Sequence, residues 1–270
     1  MTSSMTKGLV AERITVRYGN NTAVDAVSLD VARGEIVGLI GPNGAGKTSL
    51  IDAVTGLAPM ADGRVLLAGV DITDWAPHRR ANAGMRRTFQ SLRLFDDLTV
   101  TENLVVAAET DTRLGFLRDL FRPRQAPIAT GRALSMTGLE RHAAAYPRDL
   151  SAGTRRLVGV ARAVVSEPAV VLLDEPAAGL DTTESQALGA LLREFLKHDI
   201  TVFLIDHDMG LVLNVCDYLY VLDFGQIIAE GTPAEVRSNP KVIGAYLGES
   251  AGESQAEEGR AAAAHRGSHE

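Results

Sequence analysis

Cysteine is nearly absent. Cys216 is the single one in 270 residues, so no intrachain disulfide can form, and the chain suits a reducing compartment. Following an apolar stretch, that lone thiol reads as a small packed residue rather than a nucleophile. Long apolar runs are missing too. Nothing approaches the roughly eighteen consecutive apolar residues of a membrane span, and no basic start followed by an apolar segment marks a signal peptide. The chain is therefore not expected to cross a membrane, although it can dock on a protein that does. Positive charge is in deficit: 27 Lys and Arg against 34 Asp and Glu give a formal net charge of −7. That balance supplies no general field for nucleic acid. There is no internal repeat and no sustained heptad pattern. What remains, 46% hydrophobic and 23% charged residues, is an ordinary globular composition at a length of one large domain or two modest ones.

The most informative stretch is Gly41-Pro42-Asn43-Gly44-Ala45-Gly46-Lys47-Thr48. It fits G-x-x-x-x-G-K-[ST], the phosphate-binding P-loop. The apolar run Glu35 to Ile40 before it reads as a buried strand, and Ser49 to Val54 after it as the first turns of a helix. Glycines let backbone amides turn inward without a Cβ in the way. Those amides and the positive end of the helix cradle phosphate. Lys47 is placed to reach the β- and γ-phosphates of a nucleotide, and the Thr48 hydroxyl to ligate Mg²⁺.

Further along, Ala169-Val170-Val171-Leu172-Leu173 reads as a strand buried on both faces of a parallel sheet, and it ends in Asp174-Glu175. Carboxylates at such a strand's C-terminal edge sit where open α/β sheets bind ligands. Beside a P-loop, Asp174 is the natural Mg²⁺ ligand. Glu175 is placed to polarise an attacking water. Thr201 to Ile205 is a second buried-type strand, ending in Asp206-His207-Asp208; His207 can face the same phosphates. Leu150-Ser151-Ala152-Gly153-Thr154 leads into an apolar-periodic helix with spaced arginines. Its serine and glycine at a helix start make a possible second anion site; taken alone, Ser151 reads as an ordinary N-cap.

The rest supplies a frame. Leu9–Val16 and Ala23–Val31 read as strands joined by a turn at Arg17 to Asn21, a small antiparallel sheet ahead of the P-loop. Tyr18 at the tip is equally a half-exposed turn aromatic or a ring stacked on adenine. Arg64–Ala68 is a short strand, the basic segment Arg79–Arg87 a helix start, and Thr101 another. Residues 113 to 146 read mainly as helices, broken near Pro123 and Pro127, with Leu139, Ala143 and Tyr146 on a helical spacing. Tyr218–Leu222 and Gln226–Glu230 form a hairpin turning at Asp223-Phe224-Gly225. Thr232–Leu247 is one or two helices. From Gly248 the composition is that of a disordered tail.

In order along the chain stand the P-loop, Phe89-Gln90, Leu150-Ser151-x-Gly153, Asp174-Glu175, Gly179-Leu180-Asp181 and His207. Six motifs in that order resemble the ATP-binding subunit of an ABC transporter, from about Leu9 to Leu247. Arg87 to Phe95, Thr99 to Leu104, Asp174 to Leu180 and the ending Val242 to Glu249 resemble the branched-chain amino acid group, a pattern that urea-type transporters largely share. The resemblance implies an α/β fold with a P-loop NTPase (RecA-like) parallel-sheet core formed by residues 1–87 and 166–248. It adds an N-terminal antiparallel β subdomain, an inserted helical subdomain at 88–165, and a tail at 249–270.

The cofactors it implies are ATP and Mg²⁺. Gly41, Pro42, Asn43, Gly44, Ala45, Gly46, Lys47, Thr48 and Ser49 would hold the phosphates, and Tyr18 would stack on adenine. Thr48, Gln90 and Asp174 would face the metal; Gln90 would also couple the metal and water site to a membrane partner. Glu175, His207, Gln90 and Lys47 would carry the chemistry. Ser151 and Gly153 would contact the γ-phosphate of ATP held by the other subunit of a dimer, with Asp181 at the seam. Thr154 stands where the family signature usually has glutamine.

The partners implied are transmembrane permease subunits and a second ATP-binding subunit, identical or related. A periplasmic or extracellular solute-binding protein would act indirectly, and no nucleic acid is involved. The chain would sit peripherally on the cytoplasmic face of the cell membrane. Two other readings use the same motifs. ATPases of this superfamily that act on DNA or ribosomes usually carry two cassettes or a long coiled-coil insertion, and neither is present here. A weakly hydrolysing regulator is the reading that Thr154 motivates.

Overall fold

The computed structural model describes residues 7–88, 94–108 and 125–246. Strands β1 (Lys7–Tyr18) and β2 (Asn21–Ala32) form an antiparallel hairpin. Leu9, Ala11, Ile14 and Val16 on β1, with Val24, Val27, Leu29 and Val31 on β2, are buried. Glu12 and Arg13, which interrupt the alternation, lie in a register shift between Ala11 and Ile14, with Arg13 at φ 52. A bulge there returns the next apolar residue to the covered face. This sheet is larger than the expected hairpin. Beyond the P-loop, β4 (Asp62–Leu67) pairs with β1 and β5 (Val70–Asp71) with β4, giving the order β2-β1-β4-β5.

The second sheet contains β3 (Ile36–Ile40), β6 (Met85–Arg87), β7 (Val170–Asp174), β8 (Thr201–Ile205), β9 (Tyr218–Asp223) and β10 (Gln226–Gly231). Its order is β10-β9-β3-β8-β7-β6. Only the β9–β10 pair is antiparallel. Every residue of β3, β7 and β8 is buried, as strands covered on both faces require. Alternate residues serve two separate cores. Val37, Leu39, Leu172, Phe203 and Ile205 face the antiparallel sheet, while Ile36, Ile40, Val171, Leu173, Val202 and Leu204 face the helices.

The described helices are α1 (Lys47–Thr55), α2 (Pro77–Asn82), α3 (Val100–Ala108), α4 (Gln125–Thr137), α5 (Ala152–Val164), α6 (Thr182–Leu196), α7 (Met209–Val215) and α8 (Pro233–Ser238); Leu50, Ile51 and Val54 of α1 lie in the first core with the antiparallel sheet. A third buried cluster joins Val100 and Leu104 of α3, Ala133 and Leu134 of α4, and Val158 and Ala161 of α5. Helix α5 shares itself between cores, because Val160 and Val164 belong to the second cluster.

Two sequence expectations change. The basic segment 79–87 does not begin a helix: α2 already starts at Pro77 and stops at Asn82, Gly84 turns the chain at φ 102, and Arg87 ends strand β6. Pro127 stands in the first turn of α4, where a backbone N–H would have no intrahelical partner, and Pro123 lies outside the described residues. Leu139, Ala143 and Tyr146 do not share an α-helix. Gly138 at φ 66 follows α4, and two 3₁₀ turns, Glu140–His142 and Pro147–Asp149, follow. The proposed helical content at 109–124, the tail and Gln90 lie outside the described residues.

Cys216 follows α7 and is 5% exposed among Val212, Val215 and Leu219. Burial first, then the nearby Asp217 carboxylate, push its thiol from 9.0 up to about 12. Such a thiol stays protonated and unreactive at neutral pH. At pH 8, Cys216 is expected to react with iodoacetamide only after unfolding. Stability is expected to be unaffected by this group below about pH 9 and to fall as pH rises toward 12, because only the unfolded thiol ionises there. Peptide mass mapping of native and urea-unfolded protein checks the first expectation. Equilibrium unfolding of a Cys216→Ala variant, compared at pH 8 and pH 10, isolates the second.

Candidate active site

Strands β3, β8 and β7 are neighbours, all parallel and in one register. Leu39 pairs with Ile205, and Ile205 with Asp174. Their C-terminal ends therefore leave the sheet on one row. At a strand spacing near 4.8 Å, the outer two lie about 10 Å apart. The P-loop follows β3, Asp206-His207 follows β8, and Glu175 follows β7.

The P-loop has the backbone that its glycines permit. Gly41, Gly44 and Gly46 take φ 151, 79 and 105. A Cβ at Gly41 would meet the Leu222 carbonyl oxygen at 2.0 Å, and one at Gly46 the Ala23 carbonyl oxygen at 2.4 Å. The loop is thus pressed between β2 and β9, and its outer side is open: Asn43, Gly44 and Thr48 are exposed. Ala45 is buried, its N–H donating to the Pro42 carbonyl at 3.2 Å. Lys47 opens α1, and its ammonium donates to the carbonyls of Gly41 at 2.5 Å and Pro42 at 2.9 Å. Ser49 is the third residue of that helix and half-buried. Tyr18 ends β1 at the hairpin tip, 51% exposed.

On the β7 side, Asp174 is 6% exposed. Its N–H donates to the Thr88 hydroxyl at 3.1 Å, and Arg87 donates to its carboxylate at 2.8 Å. The same guanidinium donates to Asp52 on α1 at 2.5 Å. A buried cation therefore joins β6, the P-loop helix and β7. Glu175 adopts φ 48, a left-handed backbone uncommon for a residue with a side chain. Its N–H donates to the Ile205 carbonyl at 2.7 Å, and its Oε1 lies 3.9 Å from His207 Nδ1. Asp206, fully buried, accepts from the N–H groups of Ala177, His207 and Asp208 at 2.9, 2.8 and 3.0 Å. It ties the exits of β7 and β8 together.

Ser151, Gly153 and Asp181 form a second group. Ser151 caps α5, its hydroxyl accepting from Thr154 N–H at 3.2 Å and lying 3.0 Å from the Thr154 hydroxyl. Asp181 caps α6 in a reciprocal capping box with Glu184. A Cβ at Gly153 would fall 2.3 Å from Glu184 Oε1, so this glycine is also where α6 approaches α5. Sequence reasoning missed Arg87, Asp206 and Arg156 as site residues. Arg156 donates to the Glu175 carbonyl. Asp206 carried one signal, its place directly after a buried strand.

The ABC transporter family model matches residues 24–178. This chain belongs to the ABC transporter ATP-binding family. A second family model, described as branched-chain amino acid ATP-binding cassette transporter, matches residues 226–252 of this ABC subunit. BraF of Pseudomonas aeruginosa, a high-affinity branched-chain amino acid transport ATP-binding protein, is 38% identical, covering 87% of this chain and 96% of its own. LivG of Escherichia coli K12, described in the same words, is 40% identical over the same shares. LptB of Haemophilus influenzae, a lipopolysaccharide export system ATP-binding protein, is 34% identical over 89% and 97%. Among solved structures, the ADP conformation of an ATP-binding cassette of an ABC transporter superposes with a TM-score of 0.80 at 33% identity, covering 90% and 99%. The antiparallel sheet beside a mostly parallel sheet is the ABC ATPase fold, and the activity of this family is ATP hydrolysis.

The donor set suits Mg²⁺. No group of three or more His, Cys, Asp or Glu gathers as a metal cage among the described residues. Mg²⁺ characteristically takes one or two protein oxygens and completes its shell with water and substrate phosphates. Thr48 and Asp174 offer that set. Arg87→Met removes the cation from two partly or fully buried carboxylates. The expected loss is about 3–5 kcal/mol, read as a lower urea midpoint at unchanged slope. An unchanged midpoint would show that the cluster does not hold the sheet edge together.

Proposed function

We propose that this ABC ATPase drives import of branched-chain amino acids, working as a sandwich dimer beneath a membrane permease. The observation that carries the reading is the shared row of β3, β8 and β7, which lines up a P-loop, a histidine and a carboxylate. The C-terminal family match and the BraF and LivG similarities support the solute class. We assign residues 88–165 as a helical subdomain inserted in the core, and the third buried cluster supports that division.

In the proposed reaction, P-loop amides and Lys47 hold the β- and γ-phosphates, and Tyr18 stacks on adenine. Gly41, Pro42, Asn43, Gly44, Ala45, Gly46 and Ser49 complete the cradle. When bound, Mg²⁺ would be held by Thr48 and Asp174 beside Gln90 and would neutralise charge on the phosphate oxygens. Glu175 takes the proton of the attacking water. His207 donates to a γ-phosphate oxygen and steadies the charge that develops. Ser151 and Gly153 bind the γ-phosphate held by the partner subunit, and Asp181 lies at the seam. No helix among the described residues is long and apolar enough to cross a membrane. From its membership of the ATP-binding family we assign a peripheral position on the cytoplasmic face, reached through the permease and served by a separate solute-binding protein. A urea-type solute is the second reading, because the two groups share the sequence pattern of the site.

Glu175→Gln keeps the shape of the side chain and removes the base. Hydrolysis is expected to fall by about 10²–10⁴-fold, while ATP-bound dimer accumulates on size-exclusion chromatography. Lys47→Ala is expected to weaken nucleotide binding itself, measured by fluorescence titration. Full turnover by Glu175→Gln, or unchanged ATP affinity in Lys47→Ala, contradicts these assignments.

A further inference from the structure

We propose that Arg156 is a positioning residue for Glu175, holding the catalytic base of one nucleotide site from the helix that presents Ser151 and Gly153 to the other. The inference rests on the dimeric ATPase reading above. Glu175 leaves β7 at φ 48. A residue with a Cβ stays in that region only where its surroundings hold it. Three contacts do so. Its N–H is fixed by the Ile205 carbonyl at 2.7 Å, and its carbonyl accepts from Ala178 N–H at 3.3 Å and from the Arg156 guanidinium. The first two belong to the strand and its turn. The third comes from α5, nineteen residues earlier in the chain, and is charge-assisted, so it is the strongest class of hydrogen bond available to a carbonyl.

The connection matters because of what else α5 carries. Ser151 is its N-cap and Gly153 lies in its first turn, two turns or less from Arg156. Glu184, at the start of α6, closes on Gly153, and Asp181 is bonded to Glu184. The first two turns of α5 therefore meet the backbone of the base and the α6 cap at the proposed seam, and they carry the Ser151 and Gly153 that would meet the phosphate of the opposite site. When a partner's γ-phosphate draws Ser151 and Gly153 inward, Arg156 moves with them and carries the Glu175 peptide. The base is aligned only when the second site is closed. Arg156 touches neither nucleotide nor water; it acts through the orientation of Glu175.

The test compares Arg156→Leu and Arg156→Lys in the full chain, each alone and with Glu175→Gln. Turnover is measured at saturating Mg-ATP, and affinity with a fluorescent ATP analogue. Arg156→Leu is expected to lower kcat by about tenfold or more, with nucleotide affinity held within about threefold. Arg156→Lys, which keeps a donor, is expected to recover part of kcat. Since Arg156 works through Glu175, adding Arg156→Leu to Glu175→Gln should cause no further loss, a coupling that a merely structural contact would not produce. Turnover of Arg156→Leu within about twofold of wild type, affinity that falls in step with kcat, or additive losses in the double variant would overturn the proposal. A wild-type chain that binds ATP without hydrolysing it would contradict the reaction rather than this contact.

Discussion

Three adjacent parallel strands, β3, β8 and β7, end on one row, and the rest of the molecule depends on that alignment. Parallel pairing fixes the direction of every strand, and the register from Leu39 through Ile205 to Asp174 fixes the level. The P-loop, Asp206-His207 and Glu175 must then emerge side by side. Complete burial of all three strands makes the register expensive to shift, because a slip of one residue would exchange the two apolar faces. The antiparallel sheet and the helices supply those faces. Asp206, bonded to three backbone N–H groups, then locks two of the three exits to each other.

Much of this was legible in the sequence because it is local. Apolar runs of five residues ending in acidic or glycine-rich turns identify β3, β7 and β8. The P-loop pattern places its own strand and helix. The β1–β2 and β9–β10 hairpins follow from alternation and turn residues, and their structure agrees. What was missed is long-range. Strand β6 is only Met85–Arg87, too short for periodicity to register, and it exists because β7 pairs with it. Arg87 looks like one more charge in a basic segment until Asp174, eighty-seven positions later, and Asp52 on α1 close around it. Helices α6 and α7 passed unmarked, although Asp181 with Glu184 forms a capping box that could have been read.

The candidate site divides along the same line. The order of motifs singled out Lys47, Asp174, Glu175 and His207 as residues, and the structure places the last two 3.9 Å apart. Their support was invisible: the left-handed turn at Glu175, the guanidinium of Arg156 on its carbonyl and the buried Asp206 are features of packing between segments. Ser151 illustrates the reverse case. In the single chain it is an ordinary helix cap bonded to Thr154, and its proposed phosphate role belongs to an assembly of two chains. Thr154 is itself part of that cap, its hydroxyl 3.0 Å from that of Ser151.

The solute is the part of the account furthest from these residues. LptB at 34% and LivG at 40% identity are named for different cargoes, so overall similarity separates the solutes only weakly. The most direct measurement is uptake of labelled leucine and labelled urea in cells lacking this chain, restored with wild type or with Lys47→Ala. Leucine uptake that returns with wild type and not with Lys47→Ala is the result the account predicts. Leucine uptake unaffected by loss of the chain, or restored equally by Lys47→Ala, would contradict it, and a response of urea alone would contradict the solute while leaving the ATPase in place.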